Sequence, residues 1–496
     1  MKIVIIGAGI SGCAAYLALK KHLPQPAPPA QDHSYTIYEA HNTDLDTTAD
    51  DRASTMHSST LIVGGGLGIG PNGLHVLQRL DPGLLRDIVR GGYAVSTYCM
   101  KSKHGRLLVK MNAQAVTTTV SPGEESRSMS VVASSRHSFW RCLRARVPDE
   151  AIINKRIAEV VAQPDGRNIV RFADGSSPVE ADLVIGADGL KSTVKRALFP
   201  DVKGEVYPHQ YEYVFFLFFL NPIHVIKLSD RNVRGLVGIG GFVPVTPSLR
   251  QHIDKGTMNF IFGGNGFFGY FYANSDPSSP HRDSAYHVSA PGDLVAWWST
   301  YAMDECPRDP RSIDCDAVAQ QLRERHRGWA DPVVQDIITK HLIVESVWPT
   351  WTAPELPTWE RDGVVLVGDA AHALPSTSGQ GSSQALEDVE ALALFLAHEL
   401  RQAYRAPAET QMLTEKTAIT TAAARYTALR QPHVARIREQ ASRMQNQKRD
   451  LSVVEEWLMY TFMWIMGFFP RVMAADLKMV MEYNIRDEVE RVLGER

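Results

Sequence analysis

Cysteine is scarce in this chain, charge of either sign is not in excess, and no hydrophobic run is long. Five cysteines, Cys13, Cys99, Cys142, Cys306 and Cys315, are scattered over 496 residues without a Cys-x-x-Cys pair. An odd, dispersed set supports neither a disulfide framework nor a zinc site, so no metal is expected and a reducing, cytoplasmic setting is. Lys and Arg number 52 against 55 Asp and Glu, a net charge of −3, which lacks the basic excess that a nucleic-acid partner requires. Trp457–Phe469 is almost wholly apolar but falls short of the ~20 residues of a spanning helix. It reads either as a buried helix or as a peripheral membrane contact at 457–469. The apolar start, Met1–Gly7, runs straight into glycines and reads as a strand rather than a cleaved leader. No repeat of solenoid period is found.

What is present is a globular composition, 44% hydrophobic and 22% charged, long enough for two to four structural units at roughly 100–200 residues each. Lys2–Ile6 is a short apolar run of the kind buried on both faces in a parallel sheet. Gly7-Ala-Gly9-Ile-Ser11-Gly12 follows it, then Cys13–His22, rich in Ala and Leu, and then Tyr35–Glu39, a second strand ending in an acid. Strand, glycine turn and helix in this order make a phosphate cradle. Gly7 permits the tight turn, Gly9 lets backbone approach a pyrophosphate, and Gly12 lets helix and strand pack closely. The helix N-terminus adds partial positive charge. Glu39 suits ribose hydroxyls. Its offset from the glycines is long because Pro24, Pro26, Pro28 and Pro29 force a surface excursion. This motif alone leaves NAD and FAD both open.

Two further corners have the same grammar. Asp182–Gly186 is an apolar strand that runs into Asp188-Gly189, and Gly363–Val367 runs into Gly368-Asp369, then Pro375, then Gly379-Gln380-Gly381 and a helix from Ser382 to Leu400. Arg136-x-x-Phe139-x-x-x-Leu143 opens another helix, and Pro71-Asn72 follows the glycine run 64–70. The middle of the chain is β-rich and aromatic. Alternation places Tyr211, Tyr213, Phe215 and Leu217 on one strand face, and Phe260 and Phe268 belong to a second aromatic stretch. These six are candidates for an apolar substrate pocket.

With these motifs in this order, the sequence resembles the single-component (group A) FAD-dependent monooxygenases of the para-hydroxybenzoate hydroxylase-like family. The resemblance implies an α/β fold with a discontinuous Rossmann-like FAD-binding domain (1–75, 104–203 and 355–400). It implies an inserted β-rich substrate domain (76–103 and 204–354) and a helical C-terminal region (401–496). It implies non-covalent FAD held by Gly7, Gly9, Ser11, Gly12, Glu39, Arg136, Asp188, Gly368, Asp369, Pro375, Gly379, Gln380 and Gly381. It also implies NAD(P)H and O₂ as cosubstrates, a flavin C4a-hydroperoxide, and hydroxylation or epoxidation of an electron-rich organic substrate in natural-product metabolism. A flavin reductase or dehydrogenase without oxygen insertion stays open. No second Gly-x-Gly-x-x-Gly unit of strand, turn and helix is present, which argues against a separate NADPH domain. The Trp-x-Trp-x-Ile-Pro signature of flavin halogenases is absent too. No residue is assigned as acid or base: His372 reads as a packed turn residue, Asp388 as a helix-surface or capping residue, and Arg52 as either a ligand contact or a solvated loop arginine.

Overall fold

The computed structural model describes residues 1–26, 31–45, 65–114, 128–202, 235–303, 314–344, 346–349, 352–405, 411–446 and 451–494. The strands are β1 (Lys2–Ile6), β2 (Ser34–Glu39), β3 (Gly66–Ile69), β4 (Tyr93–Val95), β5 (Thr97–Ser102), β6 (Leu107–Asn112), β7 (Val131–Ser135), β8 (Ile152–Asn154), β9 (Ile157–Val161), β10 (Asn168–Phe172), β11 (Val179–Ala181), β12 (Leu183–Gly186), β13 (Gly235–Pro244), β14 (Thr257–Gly263), β15 (Gly266–Tyr272), β16 (Leu294–Met303), β17 (Ser346–Pro349), β18 (Glu360–Arg361) and β19 (Val364–Leu366). The helices are α1 (Ile10–His22), α2 (Pro71–Leu80), α3 (Pro82–Arg90), α4 (Arg136–Arg144), α5 (Thr193–Leu198), α6 (Pro247–His252), α7 (Cys315–His326), α8 (Pro332–Asp336), α9 (Asp369–His372), α10 (Gly381–Ala403), α11 (Gln411–Asn446), α12 (Val453–Met466), α13 (Pro470–Met481) and α14 (Ile485–Leu493).

The first sheet runs β18-β19-β12-β1-β2-β8. Its pairings are parallel except at the β18–β19 edge. Ile3, Val4 and Ile5 are fully buried, as an unbroken apolar run demands of a central strand covered on both faces. α1 packs on α10, and α10 in turn packs on α2, α11 and α14. Parallel neighbours need long crossovers, so these strands come from distant parts of the chain.

The second sheet runs β17-β13-β16-β15-β14-β5-β6. Pleating divides its side chains between two faces. Phe268, Tyr270 and Trp297 form one core cluster with Leu322 of α7 and Val333 and Val334 of α8. Phe260, Phe267, Phe271 and Trp298 lie on the opposite face by register. That face meets β3, where a Cβ on Gly66 would lie 2.6 Å from the Phe271 ring. Beside it, Val109 and Met111 of β6 pack with Met459 and Tyr460 of α12.

α12 is fastened to this sheet. A Ser452–Glu455 capping box starts the helix, and Lys103 Nζ lies 2.7 Å from Glu456 Oε2. The Tyr460 hydroxyl donates to the Phe262 carbonyl at 2.7 Å. Only one side of the apolar 457–469 stretch is thereby covered. Trp457, Trp464, Ile465 and Phe468 are exposed, so this helix is not the wholly buried one that its composition allows. Among the described residues no helix is long and apolar enough to cross a membrane.

Candidate functional site

The three glycine corners leave adjacent strands side by side. Ile6 pairs with Gly186, and Gly186 with Leu366. Gly7 adopts φ +101°, and a Cβ there would lie 2.5 Å from the Ala187 carbonyl oxygen and 3.0 Å from Asp188 Cα. Gly368 adopts φ +60°, and a Cβ there would collide with Ser11 Oγ. The first corner therefore touches both others, and only glycine permits it at these two positions. Gly12 closes the set, since its Cβ would strike the Gly7 carbonyl.

Four other glycines behave in the opposite way. A Cβ on Gly9, Gly189, Gly379 or Gly381 would meet nothing within 4 Å. Backbone is bare at those points, two of them at helix starts: Gly9 is the N-cap of α1, and Gly381 opens α10. Uncapped helix N-termini with free amides are anion sites. A cradle packed beneath by Gly7, Gly12 and Gly368 and open above at Gly9, Gly379 and Gly381 fits a bound dinucleotide.

The polar residues around it have distinct duties. Glu39 accepts from the Ala8 N–H at 2.7 Å and the His41 N–H at 3.0 Å, which fixes its carboxylate beside the first turn. Trp140 Nε1 donates to the Ala8 carbonyl at 2.8 Å, so α4 braces the same turn. Arg136 begins α4 half-exposed. Asp369 begins α9, also half-exposed. Pro375 is buried and precedes a 3-10 turn that ends at Gly379, φ +59°. Asp188 differs in that its Oδ2 accepts from the Thr193 N–H at 2.7 Å and the Val194 N–H at 3.3 Å. It closes its own turn, and burial pushes its pKa up.

Below the third corner lies a fully buried polar cluster. Asp388 is not on a helix surface: it has no exposure, accepts from the Gly368 N–H at 3.0 Å, and contacts His372 Nε2 at 2.5 Å. Its capping role is therefore internal, and His372 is a packed partner of it. Arg430 of α11 donates to Asp388 Oδ1 at 3.0 Å and to Glu387 Oε2 at 2.6 Å. Burial pushes Glu387 up to about 7 despite the pull of Arg430. For Asp388, burial works upward too, but His372 and Arg430 together hold it below its ordinary value. Arg430 has no local sequence signal. A clue lay in Glu387-Asp388 themselves, two acids inside an apolar helix, which need a cation nearby.

The aromatic sheet face lies on the β3 side. Trp298 lies over Gly269, where a Cβ would collide with the indole. Phe260 stands 5.5 Å from Tyr98 and 5.8 Å from Trp298, and Phe271 5.7 Å from Trp298, ring centre to ring centre. Phe260 is thus part of an aromatic wall. Phe268 is not: alternation turns it to the other face, where it stacks on Trp297 at 5.5 Å and meets His326 edge-on at 5.4 Å. It is core, which corrects the expectation from sequence. Tyr98, from a distant strand, was missed. Tyr211, Tyr213, Phe215, Leu217 and Arg52 lie outside the described residues.

Residues 286–425 match a family described as FAD binding domain. The chain is 24% identical over 397 residues to a 6-hydroxynicotinate 3-monooxygenase of Pseudomonas fluorescens, covering 80% of this chain and 82% of that protein. It is 24% identical to a salicylate hydroxylase of Pseudomonas putida, covering 67% and 68%. Among solved structures, HpxO of Klebsiella pneumoniae with FAD and uric acid aligns at TM-score 0.63 and 19% identity over 97% of each chain. A salicylate hydroxylase substrate complex aligns at TM-score 0.63 and 17% identity, covering 99% of this chain and 97% of that one. Fold and matched domain define the class, an FAD-binding α/β oxidoreductase. Within it, the chain is similar over most of its length to FAD-dependent monooxygenases of aromatic-hydroxylase type.

Proposed function

We propose that the substrate of this monooxygenase is an electron-rich, apolar or aromatic small molecule, hydroxylated or epoxidised against the aromatic face of the second sheet. The supporting observation is that three glycine corners converge at the ends of neighbouring parallel strands, and that β3 joins them to the aromatic face: a Cβ on Gly70 at its end would lie 3.4 Å from Gln380 Nε2, and one on Gly66 2.6 Å from the Phe271 ring, on the face that carries Phe260 and Trp298. Bound FAD supplies electron transfer from NAD(P)H and activation of O₂. In this reading the amides at Gly9 and the α1 N-terminus hold the pyrophosphate, and Glu39 the adenosine ribose. Asp369 takes a ribityl hydroxyl. Amides at Gly379–Gly381 face the ring edge where negative charge grows on reduction. Arg136 reaches the phosphate or ribityl region. Phe260 and Trp298 exclude water and stack an aromatic substrate. Burial pushes the Tyr98 hydroxyl pKa up, so the group stays a neutral phenol able to offer a hydrogen bond to substrate.

The test is direct. The protein with FAD should oxidise NAD(P)H and consume O₂ only when a suitable phenol, heteroaromatic or terpenoid is present. Product formed under ¹⁸O₂ should carry the label. Unlabelled product would favour the reductase reading.

A second property of the same protein is peripheral attachment to a lipid surface through 457–469. Its support is the outward stripe Val454, Trp457, Leu458, Trp464, Ile465 and Phe468, which recurs at helical spacing and is exposed throughout. No charged residue occurs between Glu456 and Arg471. Tryptophan and phenylalanine on an uncharged helix face suit the bilayer interface.

A further inference from the structure

Arg430 stands outside all three motifs, in a helix of the C-terminal region, yet its guanidinium is the hub beneath the cradle. It is fully buried. Nε donates to Asp388 Oδ1 at 3.0 Å, Nη1 to Glu387 Oε2 at 2.6 Å, and Nη2 to Gln384 Oε1 at 2.5 Å. The two acids pass this restraint on in different directions. Asp388 Oδ2 accepts the Gly368 N–H and contacts His372, so it holds the turn that presents Asp369. Glu387 Oε1 accepts from Asn72 Nδ2 at 2.5 Å, and Asn72 also donates to Gln380 Oε1 at 3.1 Å. Gln380 is the residue before the open amide of Gly381. One cation thus fixes both ends of the segment from Gly368 to Gly381.

Packing alone does not account for this arrangement. Desolvating an arginine and two carboxylates costs more than burying apolar residues of the same size. What a connected, satisfied network supplies is fixed geometry, here at the two ends of the third corner, Gly368 and Gln380. We propose that Arg430 is a positioning residue for the flavin: through Asp388 and Glu387 it orients Asp369 and the Gly379–Gly381 amides, and so sets the affinity and reduction potential of bound FAD. The proposal rests on the FAD reading of the cradle. Removing the cation loosens the segment and leaves the buried Glu387 and Asp388 without their shared guanidinium beneath the cradle, which would disfavour reduced, anionic flavin more than oxidised flavin.

The experiment compares apo-protein of wild type, Arg430→Met, Arg430→Lys and Glu387→Gln, with Leu322→Ala in the far core as a control of general stability. FAD affinity is read by fluorescence titration, the potential by dye-referenced photoreduction, and folding by circular dichroism. Arg430→Met should bind FAD at least tenfold more weakly. A further tenfold loss for the reduced form would appear as a potential ~30 mV more negative. Arg430→Lys should recover part of both, and Leu322→Ala should bind FAD as wild type does. Should Arg430→Met fail to fold, Glu387→Gln carries the test: it keeps the side-chain shape, weakens FAD binding and shifts the potential the opposite way. A folded Arg430→Met, or failing that Glu387→Gln, with wild-type affinity and potential overturns the proposal. Wild-type protein that binds no FAD overturns the cradle reading instead.

Discussion

At the scale of single residues, glycine does two opposite jobs around the cradle, and substitution separates them. A side chain at Gly12 would meet the Gly7 carbonyl, whereas one at Gly9 would enter open space. Gly12→Ala should therefore destabilise the fold, by ~2–3 kcal/mol on the scale of steric core defects, seen as a lower denaturation midpoint in apo-protein. Gly9→Val should cost the apo-protein no more than ~1 kcal/mol, the loss of a better helix cap, and abolish most FAD binding in a flavin titration. His326 makes a pH prediction. It is buried under Phe268 and Trp329, and burial pushes it down to about 4. Its folded pKa lies below the unfolded value of 6.5, so its share of stability is present above pH 6.5 and is lost as pH falls toward 4. Urea midpoints measured across that window should fall with acid, and His326→Gln should flatten the slope.

At the scale of elements, α12 is the unusual one. Its inner side is tied to the second sheet through Lys103–Glu456 and the Tyr460 hydroxyl, while its outer side shows Trp464 and Phe468 to solvent. The two sides should separate by mutation. Trp464→Ser with Phe468→Ser should lose flotation with anionic liposomes and keep substrate-dependent NAD(P)H oxidation. Glu456→Ala, which leaves Lys103 and Tyr460 without their carboxylate, should lower the thermal midpoint and turnover. Equal flotation of wild type and the double variant would remove the lipid reading. Hydropathy alone registers only that 457–469 is apolar. Which side is covered depends on β6, more than 300 residues earlier, and no local pattern carries that.

At the scale of the whole molecule, the cradle belongs to no single element: it exists only when β1, β12 and β19 are paired. Ligand that binds this assembled state and not the unfolded chain stabilises it by ~2.7 kcal/mol at a hundredfold excess over Kd. FAD should accordingly raise the thermal midpoint of wild type in a concentration-dependent way, and should fail to do so for Gly9→Val.

The strands, the glycine turns and their order could be read from the chain because each follows from short-range rules: an apolar run, a residue that tolerates positive φ, a helix start. Those rules determined the flavin class, down to Gly7, Gly9, Gly368 and Asp369 as candidates. Tertiary structure decided what no neighbour in sequence could. It turned Phe268 into the core and Phe260 onto the aromatic wall, because pleat direction takes its sign from what each sheet face packs against. It buried Asp388 and brought Arg430 to it across 42 residues, because two acids withdrawn from water must find a cation wherever the fold can deliver one.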